Sequence, residues 1–302
     1  MAPGRIDVHH HFVTDFYAEG GDPSGFRGVP NWSLEADREF NTEREISTTI
    51  LSLTAPGACI RKTPEGRADL ARRCNEYLAK VRDDTPYRYG FFATLPSMTD
   101  KEFLAEVAYS LDVLKVDGIT VSTRYGTGYQ YLGDPDFTHS WDELDRRGAV
   151  VFVHPTHPVD THLVNPEMFQ PLIQYPFETT TAAVDMLPNR VPQTHPKCKI
   201  ILSHAGGTLP YLVSRPACIF PKDSPEQQDF MDGATSFYYD IALSNSHRVL
   251  ILLQDFAKPG HILFGSDYHT QPLPTLKITS LLSRLSTSRV PNSGRKSTTR
   301  ML

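Results

Sequence analysis

Residues 149–155 read AVVFVHP. Five apolar residues in a row, three of them valine, are the pattern of a strand covered on both faces, as in a parallel sheet with helices packed outside it. The run stops on a polar residue, His154, and then on Pro155. Residues 199–207, KIILSHAGG, repeat the design: an apolar strand ends on His204 and runs into a glycine pair. Parallel neighbours need a crossover of a dozen or more residues, usually a helix.

The chain meets that requirement in both directions. RIDVHHHF (5–12), STTILSLT (47–54), YGFFATLP (89–96) and GITVS (118–122) come before, and FYYDIALS (237–244) and HILFGSD (261–267) come after. Leu70, Cys74, Tyr77, Leu78 and Val81 recur at helical spacing behind Thr63-Pro64. Phe103, Val107, Leu111 and Leu114 do so behind Thr99 and Glu102, spaced as a capping box. Residues 136–147 and 246–256 read as further helices. Eight strands mostly separated by helices predict a (β/α)8 TIM-type barrel. No G-x-G-x-x-G follows any strand, which argues against an open doubly wound sheet.

The barrel domain is assigned to residues 1–279 and ends atypically or is truncated. After Asp267 the chain has no Asp or Glu, yet carries Lys277, Arg284, Arg289, Arg295, Lys296 and Arg300. Ile278, Leu281, Leu282 and Leu285 allow a short last helix. Residues 280–302 read as a basic, partly disordered tail.

Composition narrows the partners. With 302 residues, 39% hydrophobic content and a net charge of -5, the chain has material for a large core and no electrostatic case for nucleic acid or an anionic membrane. It lacks the roughly 18-residue apolar run of a membrane span and the apolar core of a signal peptide. Cys59, Cys74, Cys198 and Cys218 are scattered, as expected for reduced thiols in a cytoplasmic protein.

Polar residues gather at the predicted strand ends. His9 and His11 are two apart on the first strand, so they share a face that His10 does not. His154, His204 and Asp267 end the fifth, sixth and eighth strands. In a parallel barrel these ends meet on one face, beside loops such as 15–40 and 155–176. Imidazoles plus a carboxylate suit a divalent ion, zinc first, with manganese and iron less selectively. Arg124, just past the fourth strand, reads either as a partner for a substrate carboxylate or as a surface arginine. Phe12, Tyr17 and Tyr268 adjoin the cluster and read either as contacts to an aromatic substrate or as packing of the barrel mouth. His157 and His162 read as solvated loop residues.

DVHHHF, VFVHP, LSHAGGTLPYL and LFGSD resemble the amidohydrolase superfamily, within it the non-oxidative decarboxylases of aminocarboxymuconate semialdehyde, resorcylate and 6-methylsalicylate. IDVHHHFV, GDPSG, NEYLA, FFATLP and SHAGGTLPYL are most similar to the fungal 6-methylsalicylate decarboxylase type. The resemblance spans roughly residues 5–270. It implies His9, His11, His154 and Asp267 as ligands of one metal, with His204 beside it handling protons or orienting a water; a ring proton then comes from Asp267 or His204, with Asp267 favoured as proton donor. It implies a small aromatic carboxylic acid as substrate, 6-methylsalicylate going to m-cresol and CO2 in secondary metabolism, and a homo-dimer or homo-tetramer. The bridging lysine of the binuclear hydrolases is missing from VSTRYG (121–126), which favours a single ion. Two departures stand out: His269 replaces a usual proline, and the C-terminal end lacks the acidic and apolar character of the family. They leave a catalytically impaired variant as one alternative; the other is a lactone or amide hydrolase of the same fold using metal-activated water.

Overall fold

The computed structural model describes residues 4–18, 32–168 and 170–268. In chain order the elements are β1 (Arg5–Phe12), α1 (Asp15–Ala18), α2 (Leu34–Glu43), β2 (Ile46–Leu53), α3 (Pro64–Asp84), β3 (Tyr89–Ala93), α4 (Phe103–Ala108), β4 (Gly118–Ser122), the short hairpin β5 (Arg124–Tyr125) and β6 (Gln130–Tyr131), α5 (Thr138–Arg147), β7 (Val150–His154), α6 (Gln170–Met186), α7 (Val191–Thr194), β8 (Lys199–Leu202), α8 (Leu209–Leu212), α9 (Pro225–Ser236), β9 (Tyr238–Asp240), α10 (His247–Phe256) and β10 (Ile262–Leu263).

Eight strands pair in the order β1-β2-β3-β4-β7-β8-β9-β10, and every pairing is parallel. The sheet closes where the chain beyond β10 returns to β1. Val8 N–H donates to the Phe264 carbonyl at 3.0 Å, Asp267 N–H to that of His9 at 2.9 Å, and His11 N–H to that of Tyr268 at 2.7 Å. The molecule is a (β/α)8 barrel, as the strand pattern predicts.

Two apolar layers hold it. Inside, Phe92, Phe152 and Ile201 pack with Val8, Ile50, Val150, Tyr238 and Leu263. Outside, α3 buries Leu70, Cys74, Leu78 and Val81 against Leu51, Phe91 and Ala93. The helix starts as its sequence predicts: Thr63 accepts from Gly66 N–H, and Pro64 stands where no helical N–H is needed.

Several expectations need correction. The Thr99/Glu102 capping box does not form. Thr99 is bonded to Ser97 through both its amide and its hydroxyl, a turn over Ser97–Asp100 occupies this stretch, and the helix begins only at Phe103. Asp100 instead anchors that turn, accepting from Ser97 N–H and pairing with Arg67 at 2.6 Å. The seventh and eighth strands are shorter than their apolar runs, because beyond Asp240 and Leu263 the backbone turns to build the mouth. The loop after β7 ends at residue 170, where α6 takes over with Pro176 inside it. The last helix, His269 and the tail over 280–302 lie outside the described residues. Among the described residues no helix is long and apolar enough to cross a membrane.

Candidate metal centre and active site

The first strand decides the geometry. Asp7 pairs with Thr49 and His10 with Leu51, so β1 spends three steps where β2 spends two. This bulge puts two consecutive side chains, Val8 and His9, inside the barrel. Val8 joins the inner apolar layer, and the His9 ring lies 5.0 Å from Phe152. Alternation then resumes. His11 points in, while His10 and Phe12 point out.

The inward groups converge. His9 Nε2 lies 3.1 Å from His11 Nε2 and 3.4 Å from Asp267 Oδ1. His11 Nε2 is 3.3 Å from the same oxygen, and His204 Nε2 is 3.3 Å from Asp267 Oδ2. The His154 ring is 4.7 Å from His11 and 5.1 Å from His9. Nitrogens of His9, His11 and His154 lie within 4.8 Å of one another, as do ligand atoms of His9, His204 and Asp267. Either triad can hold a metal ion, and both share His9. All five residues are buried.

Their charge states suit a cation. Burial, helped by the neighbouring imidazoles, pushes His154 well below its ordinary value, and burial also lowers His11. Burial alone would raise Asp267, but His9, His11 and His204 outweigh it and hold the carboxyl well below the usual range. Burial works against the His9 cation as well, yet Asp240 and Asp267 overcome it and bring His9 to about 10. His11 and His154 are therefore neutral and Asp267 is ionised, the forms that bind metal, while His9 is held as a cation by its two carboxylates when no ion is present.

A supporting shell orients these groups. His9 Nδ1 donates to Asp240 Oδ2 at 3.0 Å, which turns Nε2 toward the cluster. Asp240 Oδ1 accepts the backbone N–H of His204 and of Ala242. His154 Nδ1 donates to the Pro155 carbonyl at 2.8 Å. Gly265 is needed here because a Cβ at that position would sit 2.7 Å from His9 Cβ. On the outward side His10 bridges two carboxylates, Nδ1 to Asp7 at 3.0 Å and Nε2 to Asp37 at 2.8 Å. Burial opposes its charge, but the two carboxylates win and raise it to about 9. Asp7 Oδ1 also accepts the N–H of His9 and of Ser266, so one carboxylate ties β1 to the segment that carries Asp267.

Each of the four candidate substrate contacts has partners within the protein. Phe12, outward by strand alternation, packs against α3, stacked 6.2 Å from Tyr77. Tyr268 is bridged to His10 and therefore shares its outward side, stacking 4.0 Å from Phe40. Tyr17 is fully buried, and its hydroxyl donates to the carbonyls of Thr54 and Ala55. Arg124 is only 9% exposed, which excludes the surface reading. Its guanidinium donates to the carbonyls of Gly126, Gly128 and His157 and lies 3.6 Å from Glu178. His162 is solvated as expected, but His157 is half-buried and bonded to Gln170.

Asp7, Asp37 and Asp240 went unrecognised in the sequence. Asp240 ends a strand, the same signal that marks His154 and His204. Asp37 lies in α2 and carries no such signal.

The amidohydrolase family's sequence profile matches residues 6–278. The chain belongs to the amidohydrolase family. This amidohydrolase is 48% identical over 281 residues to the 6-methylsalicylic acid decarboxylase acuB of Aspergillus aculeatus, an overlap of 89% of this chain and 85% of the relative. It is 47% identical over 278 residues to the 6-methylsalicylic acid decarboxylase of Penicillium expansum, with 89% and 86% covered. A crystal structure described as an amidohydrolase II superposes with a TM-score of 0.81 at 28% identity, over 94% of this chain and 92% of that one.

The Asp240 contacts imply a measurable role. Asp240→Asn keeps the shape but removes the charge facing His9, and is expected to weaken divalent-ion affinity by about 10–100-fold. Isothermal titration with Mn²⁺ or Zn²⁺ reads this directly; unchanged affinity would show that His9 needs no such partner.

Proposed function

We propose that this chain is a metal-dependent, non-oxidative decarboxylase of a 2-hydroxybenzoate-type acid, converting 6-methylsalicylate to m-cresol and CO2. The convergence of His9, His11, His154, His204 and Asp267 at the mouth of one barrel carries the reading, and the decarboxylase relatives at 47–48% identity support it.

We assign His9, His11, His154 and Asp267 as the residues that hold one divalent ion, zinc by the imidazole-rich donor set and manganese as the alternative. When bound, the ion supplies positive charge that draws in and orients the carboxylate and phenol oxygens of the substrate. His9 donates its Nδ1–H to Asp240, which leaves Nε2 facing the site as its ligand atom. The chain's own task is to move a proton. Asp267 rests ionised, so it first takes a proton, from the substrate phenol or from His204 3.3 Å away. It then passes that proton to the ring carbon bearing the carboxylate. The carbon–carbon bond breaks, its electrons restore the aromatic ring, and CO2 leaves. His204 Nδ1 is buried without a hydrogen-bond partner, which leaves that nitrogen available to exchange protons with a bound molecule.

The test is to incubate metal-loaded protein with 6-methylsalicylate and measure m-cresol and CO2. Stoichiometric release of both, with no water consumed, is expected. Turnover of a lactone or amide with every hydroxybenzoate inert would replace this reading by that of a hydrolase.

A further inference from the structure

A narrow recess, with room for one small polar group, opens among the ends of β2, β3 and β4, across the barrel mouth from Asp267 and His204. Leu53, Ala58, Cys59 and Leu95 line part of it, and Thr94 and Thr120 also line it. Register ties the recess to the histidine cluster. Ser122, another lining residue, pairs with His154, and Thr120 pairs with Phe152, whose ring touches His9. Register partners in parallel strands point to the same face.

Two hydroxyls here are left over. Thr94 is 97% buried by its 3% exposure, and neither its Oγ1 nor that of Thr120 has a hydrogen-bond partner. Unpaired buried hydroxyls are costly, and threonine has a near-isosteric apolar substitute in valine. The backbone around Thr94 is also fixed. Asn75, the asparagine of NEYLA, donates to the Thr94 carbonyl at 2.8 Å and accepts from its N–H at 2.8 Å. Glu106 in turn holds Asn75, and Arg72 holds Glu106. A chain of four residues thus presents a hydroxyl that nothing in the protein uses.

We infer that Thr94 and Thr120 are specificity residues for a ring oxygen on the edge of the substrate remote from its carboxylate. The inference rests on the decarboxylase reading. A benzoate with its carboxylate and 2-hydroxyl held at the cluster extends its far edge toward β2, β3 and β4. A second hydroxyl there enters the recess and meets the two threonines, while Leu53, Ala58 and Leu95 close the rest of it to water. Asn75 is a positioning residue for Thr94. The substrate class is then 2,4-dihydroxybenzoates, with 2-hydroxybenzoates accepted without this bond.

The test compares kcat/KM for 2,4-dihydroxy-6-methylbenzoate with that for 2-hydroxy-6-methylbenzoate, using metal-loaded protein. Thr94→Val and Thr120→Val are each expected to lower the ratio by about tenfold, the worth of one hydrogen bond. Thr94→Ser, which keeps the hydroxyl, is expected to hold the ratio near that of the parent. A ratio within about twofold of the parent in both valine variants, or an equal drop in Thr94→Ser, overturns the inference and leaves the decarboxylase reading standing. Turnover of the monohydroxy acid alone by the parent does the same. Turnover of neither acid removes the decarboxylase reading, and this inference with it.

Discussion

His154→Ala is expected to remove bound metal and decarboxylation together. The imidazole is buried and neutral, its Nδ1 is committed to the Pro155 carbonyl, and Nε2 is left for the ion. Alanine deletes that nitrogen and leaves the backbone of β7 untouched. Loss of the ion's charge at the reacting group is worth several kcal/mol, so kcat/KM is expected to fall about 10³-fold or more. Metal analysis of the purified variant and CO2 release are the two readouts. His162→Ala is the control, since that side chain is 94% exposed and paired with the likewise exposed Asp160. Full activity in His154→Ala would sink the site assignment.

Asp37→Ala carries the second large effect, on folding. The Asp37 carboxylate is fully buried and accepts from His10 Nε2–H, Trp32 Nε1–H, Asn41 Nδ2–H and the Tyr89 hydroxyl. Burial alone would raise its pKa, but His10 and the other donors lower it, so it is ionised at neutral pH. Alanine strands a buried imidazolium and three neutral donors at once. Breaking a buried, hydrogen-bonded charge pair costs about 3–5 kcal/mol. A denaturation midpoint that falls accordingly is the expected result; one within about 0.5 kcal/mol of the parent would mean that water or a shifted side chain replaces the carboxylate. The destabilised variant is also expected to load metal poorly, because His10 sits between His9 and His11 on β1.

The barrel and its histidine–aspartate cluster were legible because both rest on strong local patterns. Apolar runs of β-branched residues mark strands whatever the rest of the chain does, and a polar residue ending such a run marks the mouth. That rule places His154, His204 and Asp267 without any knowledge of contacts. It stopped working where direction matters more than position. Phe12 and Tyr268 lie next to cluster residues in sequence, yet they face α3 and α2, because adjacent residues on a strand point opposite ways. The same rule that separates His9 from His10 also separates Phe12 from His11. The bulge at Val8 and His9 was invisible, since an extra residue changes register without changing composition. Asp37 and Glu178 were invisible for another reason. Each is a helical acid with no strand-end position or motif to single it out, and only the fold brings it to its partner.

The seam between β1 and the chain beyond β10 has a consequence for how the protein comes into being. Asp7 and Ser266 are bonded across 259 positions of sequence, and the proposed ion is held by groups on both sides of that join. A nascent chain therefore owns no complete site until almost all of the barrel has left the ribosome. Joining such distant ends carries an entropic cost that grows only slowly with length, but it is met late. An ion that binds the joined form and not the open one acts as a latch, adding stability in proportion to the logarithm of its concentration. With that ion bound, the barrel is expected to melt at a higher temperature than with a chelator present.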